Sequence, residues 1–293
     1  MGCLRAILKE IYGNVTEDIL FENRDELKKT NELNAIIKTI ITRQSPCHEC
    51  EKAQHQDFPG WIGQIQYENN RIVNKDIIIF GLEISNKQSV KSAFIKNYGY
   101  DLQSINDIPQ IHIGYELGYL KDLESLVKAH WLWRNLNYII PLEILIKRIY
   151  FTDIAKCFTD NKPQAYRKCT QKFLFKELNC FKDDNIIFIL QGRDSMKFFD
   201  NYFNFNINSS FQNFLQVNQE KLGEFGINTE KPNFQIGDFH SNQKEIDKRG
   251  QYLYLPHSSS RNNALWSKFR NFNELNQELF SQFQNLILNF FNF

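Results

Sequence analysis

Four short stretches carry side chains able to do chemistry. In "IYFTDIAKCF", residues 149–158, an apolar, β-branched and aromatic run stops at Asp153, and Lys156 and Cys157 follow at once. "GLEIS" places Glu83 directly behind the apolar "KDIIIF", and "LQGRDS" closes another apolar run. "HSSSRNN" sets His257 at the head of three serines. Carboxylates and an imidazole just beyond strand ends suit proton transfer, recognition of a polar ligand, or stabilisation of developing charge. A plainer reading stands beside each. Asp153 would cap the following turn, Glu83 would be a solvated loop acid with Ser85 the better helix cap, and the serines would be only a loop.

The thiols form a second constellation. Cys47 and Cys50 lie in "CHEC" ahead of the first strong strand, and Cys157, Cys169 and Cys180 fall close together later in the chain. Two thiolates three positions apart fit a metal or cluster turn, and two more from elsewhere would complete a four-ligand site. In an intracellular chain the six cysteines are expected to be reduced or metal-bound rather than paired. Unrelated loop thiols are the alternative.

The elements that must position these groups follow from the pattern of apolar residues. Buried strands are expected at "KDIIIFG", Arg148–Thr152, "DNIIFILQG" and "QYLYLP", each a short continuous apolar run of the kind found inside parallel sheets. Helical spacing appears over Glu17–Arg43, in "SVKSAFIKNYG", in "LKDLESLVKAHWLWRNLN", from Pro163 to Leu178, in "RDSMKFFDNYF" and in two closing segments. Residues 203–248, rich in Asn, Phe and Gln, read as a loop-laden insertion. Strand alternating with helix implies a parallel sheet covered on both faces, with ligands beyond the carboxyl ends of its strands. The division expected is an N-terminal helical extension over 1–45, an α/β domain over 46–270 and a C-terminal helix over 271–293.

Composition narrows the classes of function. A formal net charge of +1 gives no global attraction to nucleic acid, although a local patch can still hold phosphates. No apolar run reaches the roughly 20 residues of a membrane span. The opening "MGCLRAILKEIYG" is too polar for a secretory segment, and Gly2 and Cys3 lack the Ser/Thr context of a myristoylation signal. A cytoplasmic protein without a membrane or an obligate protein partner is expected.

Taken in order, "GLEIS", "FTDIAKC", "LQGRDS" and "HSSSRNN" resemble the uracil-DNA glycosylase superfamily over roughly Cys47 to Trp266. The resemblance implies an α/β/α sandwich with a four-stranded parallel sheet and DNA as the partner. It is nearest to the iron-sulfur branch, where a C-x-x-C precedes the first strand, a Lys-Cys follows the second motif and a fourth Cys opens the next helix. That implies a [4Fe-4S] cluster on Cys47, Cys50, Cys157 and Cys169, with Cys180 as an alternative ligand and zinc as an alternative metal. Arg261 and Asn262 continue the His loop as in the single-strand-selective monofunctional branch, while Ser258 stands where the family has proline.

Breaking a base-sugar bond leaves positive charge on the sugar and negative charge on the base. The resemblance implies Glu83 for the carboxylate that steadies the sugar and orients water, although the iron-sulfur branch has its Glu one position earlier. It implies His257 as donor to the base oxygen, and Ser258, Ser259, Ser260, Arg261 and Asn262 on the DNA backbone. Tyr98, Tyr100, His112 and Tyr115 are the aromatic candidates to stack on a flipped base. Uracil-specific branches place Asn where this chain has Asp153. An ionised Asp only accepts hydrogen bonds, so it repels uracil O4 and suits the exocyclic amine of cytosine. Plain cytosine cannot be removed from a cell's own genome without killing it. A modified cytosine, such as the hydroxymethylated or glucosylated base of phage DNA, is therefore the expected target. Uracil repair, an inactive DNA-binding relative and an unrelated metal hydrolase are the alternatives.

Overall fold

The computed structural model describes residues 3–12, 55–56, 60–61, 65–81, 131–158, 162–182, 185–230, 232–257 and 263–293. In chain order these form α1 (Cys3–Tyr12), β1 (His55–Gln56), β2 (Gly60–Trp61), β3 (Tyr67–Glu68), β4 (Arg71–Ile72), β5 (Ile77–Gly81), α2 (Trp131–Ile139) and α3 (Leu142–Leu145). Next come β6 (Ile149–Asp153), β7 (Cys157–Phe158) and α4 (Lys162–Cys169), then a π-helical turn (Thr170–Leu174) leading into α5 (Phe175–Leu178). The remainder is β8 (Ile186–Gln191), α6 (Gly192–Phe199), β9 (Phe203–Ile207), α7 (Ser209–Val217), α8 (Gln219–Glu224), β10 (Gln235–Ser241), β11 (Arg249–Leu255), α9 (Asn263–Leu275) and α10 (Gln277–Phe290). The chain divides into two compact units. The first takes Met1–Asp76, Gly81–Lys121 and Ile149–Lys182; the second takes Ile77–Phe80, Asp122–Arg148 and Asp183–Phe293.

The second unit is built on a mixed sheet. β5 pairs parallel with β8 and β8 parallel with β11, as continuous apolar runs predict for strands covered on both faces. All six residues of β8 are buried. β11 then pairs antiparallel with β10, and β10 antiparallel with β9. Residues 203–248 are thus no loop-laden insertion; they supply two strands of the sheet and two helices. The alternation in "FNFNI" is the period of a strand with one face buried. Phe188 stacks on Phe239 with ring centroids 4.0 Å apart, and Phe80 and Phe203 meet Phe188 edge-on. A second aromatic cluster joins Phe234, Trp266, Phe269 and Phe283 beneath α9 and α10. Asparagines start two of the helices: the Asn208 side chain accepts from Phe211 N–H at 3.0 Å and that of Asn276 from Leu279 N–H at 3.2 Å.

The first unit uses short pieces of strand. β2 pairs antiparallel with β6, β1 with β7, and β3 with β4 across a turn in which Asn69 and Asn70 have φ of 47° and 64°. Asparagine is among the few residues that tolerate this region, so "ENNR" makes a tight hairpin. α4, the π-helical turn and α5 follow one another without a break, and Thr170 bonds back to the Tyr166 carbonyl at 2.7 Å. α1 is tied to the end of α5 by a disulfide between Cys3 and Cys180, whose Cα atoms are 5.3 Å apart. This pairing corrects the expectation that the cysteines are unpaired and removes Cys180 as an alternative metal ligand. The two thiols are 177 residues apart in sequence, so spacing could not reveal them. Among the described residues, no helix is long and apolar enough to cross a membrane.

Candidate functional site

In the second unit, sheet register sets the position of His257. Leu255, the last residue of β11, pairs with Gln191, the last of β8, so Pro256–His257 and Gly192–Arg193 leave the same end of the sheet. Gly192 has φ of +80°, a conformation that side chains other than glycine's rarely allow. A Cβ built there would lie 2.9 Å from Cβ of His257 and 3.4 Å from its Cδ2. The imidazole therefore rests on a bare stretch of backbone at the start of α6. Trp266 donates from Nε1 to the His257 carbonyl at 3.4 Å, fixing the main chain from the side of α9. Beneath Gly192, the Ser195 hydroxyl lies 2.7 Å from the Gln191 carbonyl and 2.9 Å from that of Gly192.

Electrostatics at this end favour a neutral histidine. His257 is exposed as a whole residue, yet partial desolvation of its ring holds the pKa below its usual value, and the Asp194 carboxylate partly offsets it. The Tyr254 hydroxyl is pushed up by burial, with Arg193 opposing and Asp194 adding to the shift. A neutral imidazole still carries one N–H, so it can donate to an oxygen gaining negative charge without supplying a full proton.

In the first unit, Asp153 ends β6 and is 3% exposed. Its carboxylate packs against Gly81. A Cβ on Gly81 would overlap Oδ1 of Asp153 outright and come within 2.9 Å of its Cγ. The Ile154 N–H donates to the Gly81 carbonyl at 3.0 Å, holding the turn after β6 to this same residue. Gly81 stands two residues before Glu83 in the sequence.

On the other side of β6 lies a polar cluster that the sequence did not announce. Tyr150, Thr152, Lys156 and Glu177 are all buried. Oε1 of Glu177 accepts from the Tyr150 hydroxyl and, at 3.1 Å, from that of Thr152. Lys156 donates from Nζ to Thr152 Oγ1 at 2.5 Å and to Glu177 Oε2 at 2.7 Å. The Lys-Cys pair marked Lys156 in the sequence; nothing marked Glu177.

The thiol site is described only in part. The Lys156 backbone N–H donates to Sγ of the buried Cys169 at 3.5 Å. β1 pairs with β7 so that Gln56 faces Cys157. Among the described residues no group of three or more His, Cys, Asp or Glu gathers to hold a metal ion. Cys47, Cys50, Glu83, Tyr98, Tyr100, His112, Tyr115, Ser258, Ser259, Ser260, Arg261 and Asn262 lie outside the described residues.

Comparison with known families gives one match. The model of the Uracil DNA glycosylase superfamily covers residues 117–280, more than half of the chain. It takes in "FTDIAKC", "LQGRDS" and "HSSSRNN" and runs beyond Trp266, but begins after Cys47, Cys50 and Glu83. No curated protein and no solved structure matches the chain.

Proposed function

Because the chain belongs to the uracil DNA glycosylase superfamily, we propose that it is a monofunctional DNA glycosylase that excises a modified cytosine and leaves an abasic site. The observation that carries the choice of base is the Asp153 carboxylate, buried at the end of β6 and set against Gly81. Where uracil-reading relatives have an amide, this chain has a group that, ionised, can only accept. It would take a hydrogen bond from the exocyclic amine of a cytosine derivative and disfavour uracil O4.

The remaining roles follow from the chemistry. Glu83 would steady the positive charge on the sugar and orient the attacking water. His257 would donate to the base oxygen as the bond breaks, and its lowered pKa suits a neutral donor. Ser258, Ser259, Ser260, Arg261 and Asn262 would hold the backbone of the extruded nucleotide. Cys47, Cys50, Cys157 and Cys169 would carry a [4Fe-4S] cluster, which tethers chain segments and takes no part in the bond cleavage. The Lys156 N–H directed at Cys169 Sγ and the pairing of Gln56 with Cys157 support that ligand set.

The test is base release from oligonucleotides bearing uracil, cytosine, hydroxymethylcytosine or glucosylated hydroxymethylcytosine, read as alkali-labile abasic sites. Release of a modified cytosine, lost in Glu83→Gln and His257→Ala with DNA binding kept, is expected. Release of uracil alone overturns the cytosine assignment. Iron and sulfide analysis of anaerobically purified protein tests the cluster, and a folded, colourless, metal-free sample removes it.

A further inference from the structure

We propose that the buried Lys156–Glu177 pair, with Thr152 and Tyr150, is a positioning device that fixes Asp153 for reading the base; this rests on the glycosylase reading above. Successive side chains of a strand point to opposite faces. Tyr150 and Thr152 accordingly reach Glu177, while Phe151 and Asp153 turn to Gly81. Any shift of Thr152 along or about the strand is passed directly to Asp153, its neighbour.

The hydrogen bonds in the cluster have a single consistent direction. Thr152 has one hydroxyl proton, and its oxygen already accepts from Lys156 Nζ at 2.5 Å, so the proton goes to Glu177. Lysine thus donates to threonine, threonine to glutamate, and lysine to the other glutamate oxygen at 2.7 Å. The Lys156–Thr152 bond closes residues 152–156 into a ring through their side chains, and Asp153 lies inside it. Two backbone bonds complete the clamp: Ile154 N–H to Gly81 O at 3.0 Å, and Lys156 N–H to Cys169 Sγ at 3.5 Å.

Stability alone is a poor reason for such a cluster. The side chains of Lys156 and Glu177 are 3% and 1% exposed, so both charges are stripped of water. Exchanging a buried ion pair for apolar side chains of similar volume is often neutral or stabilising. What an apolar pair cannot supply is direction. Its contacts tolerate sliding, whereas this set admits one arrangement of the turn. Lys156 and Glu177 are positioning residues; neither needs to touch the base.

The experiment compares the full-length wild type with Lys156→Met/Glu177→Leu and with Thr152→Val, which keeps the ion pair and the branched shape but removes the hydroxyl. Melting temperature, DNA affinity and single-turnover base release are measured on the oligonucleotide that the wild type cleaves. The double variant, which takes the glutamate acceptor from the Tyr150 and Thr152 hydroxyls, is expected to fold with a modestly lower melting temperature than wild type. It should bind DNA within about twofold, with base release slowed by about tenfold or more, because small misplacements are costly in rate. Thr152→Val is expected to lose about threefold on the same reasoning. Selectivity for cytosine derivatives over uracil should relax in both. A folded variant with wild-type rate and selectivity overturns the proposal, and Thr152→Val decides it should the double variant fail to fold. A wild type that releases no base from any oligonucleotide overturns the glycosylase reading itself, a separate outcome visible before any variant is made.

Discussion

The strand ends of the two units hold their polar residues by opposite means. In the second unit, His257 is placed by sheet register, by a bare Gly192 and by Trp266, all above a core of stacked phenylalanines. In the first, Asp153 is placed by a turn laced with buried charge. A donor that must meet a growing negative charge can be positioned by shape, because a neutral ring keeps its one N–H wherever the backbone leaves it. A carboxylate that must discriminate an amine from a carbonyl is read by angle as well as distance, and directional bonds set angles better than packing does.

This contrast can be broken most sharply at the charge pair. Lys156→Met alone strands a buried carboxylate and should cost about 3–5 kcal/mol in urea denaturation, whereas the paired Lys156→Met/Glu177→Leu exchange should recover most of it. Phe188→Ala, which empties the aromatic core under β8, should also cost about 3–5 kcal/mol. It has no rescuing partner, since a cavity cannot be neutralised by a second deletion. Gly192→Ala comes next. The forbidden φ and the collision with His257 should cost about 1–3 kcal/mol and slow base release, with Asp153-dependent selectivity unchanged.

The smallest effect concerns pH. Because partial desolvation of the ring lowers the His257 pKa, the folded state holds that proton less tightly than the unfolded chain. The histidine's contribution to stability is therefore full above the ordinary value of about 6.5 and is lost as pH falls from there through the folded value. Urea midpoints measured from about pH 7.5 down to about pH 5.5 should show this slope in wild type and a flatter one in His257→Gln. The Asp200 carboxyl, raised by burial, slopes the other way and is common to both proteins, so the difference isolates the histidine.

Much of this arrangement was legible in the residues. β5 and β8 are nearly continuous apolar runs, and β6 and β11 carry shorter ones in "IYF" and "YLYL"; such runs have few alternatives to a buried strand. The strand-end positions of Asp153 and His257 followed from those runs. β9 and β10 were missed although "FNFNI" alternates strictly, because the Asn and Gln content of the surrounding segment masked the period. The hairpin at Asn69–Asn70 carried its own turn signal, overlooked between two strands of two residues each. Glu177 was illegible for a different reason. Its partner lies 21 residues away, and a helix of uniform pitch from Pro163 onward would assign it a different face.

That last point gives the π-helical turn at Thr170–Leu174 a meaning beyond its local geometry. The turn works as a phase shifter. It adds backbone without adding a matching rotation, so everything beyond it is offset around the helix axis from where α4 alone would have put it. Regularising the turn to α-helical bonding with every residue kept would rotate Glu177 by about 100° away from Lys156 and Thr152, whereas deleting one residue along with the bulge would leave Glu177 on its present face. A substitution that makes this helix more ideal would thus uncouple the turn bearing Asp153 without altering a single residue that touches it.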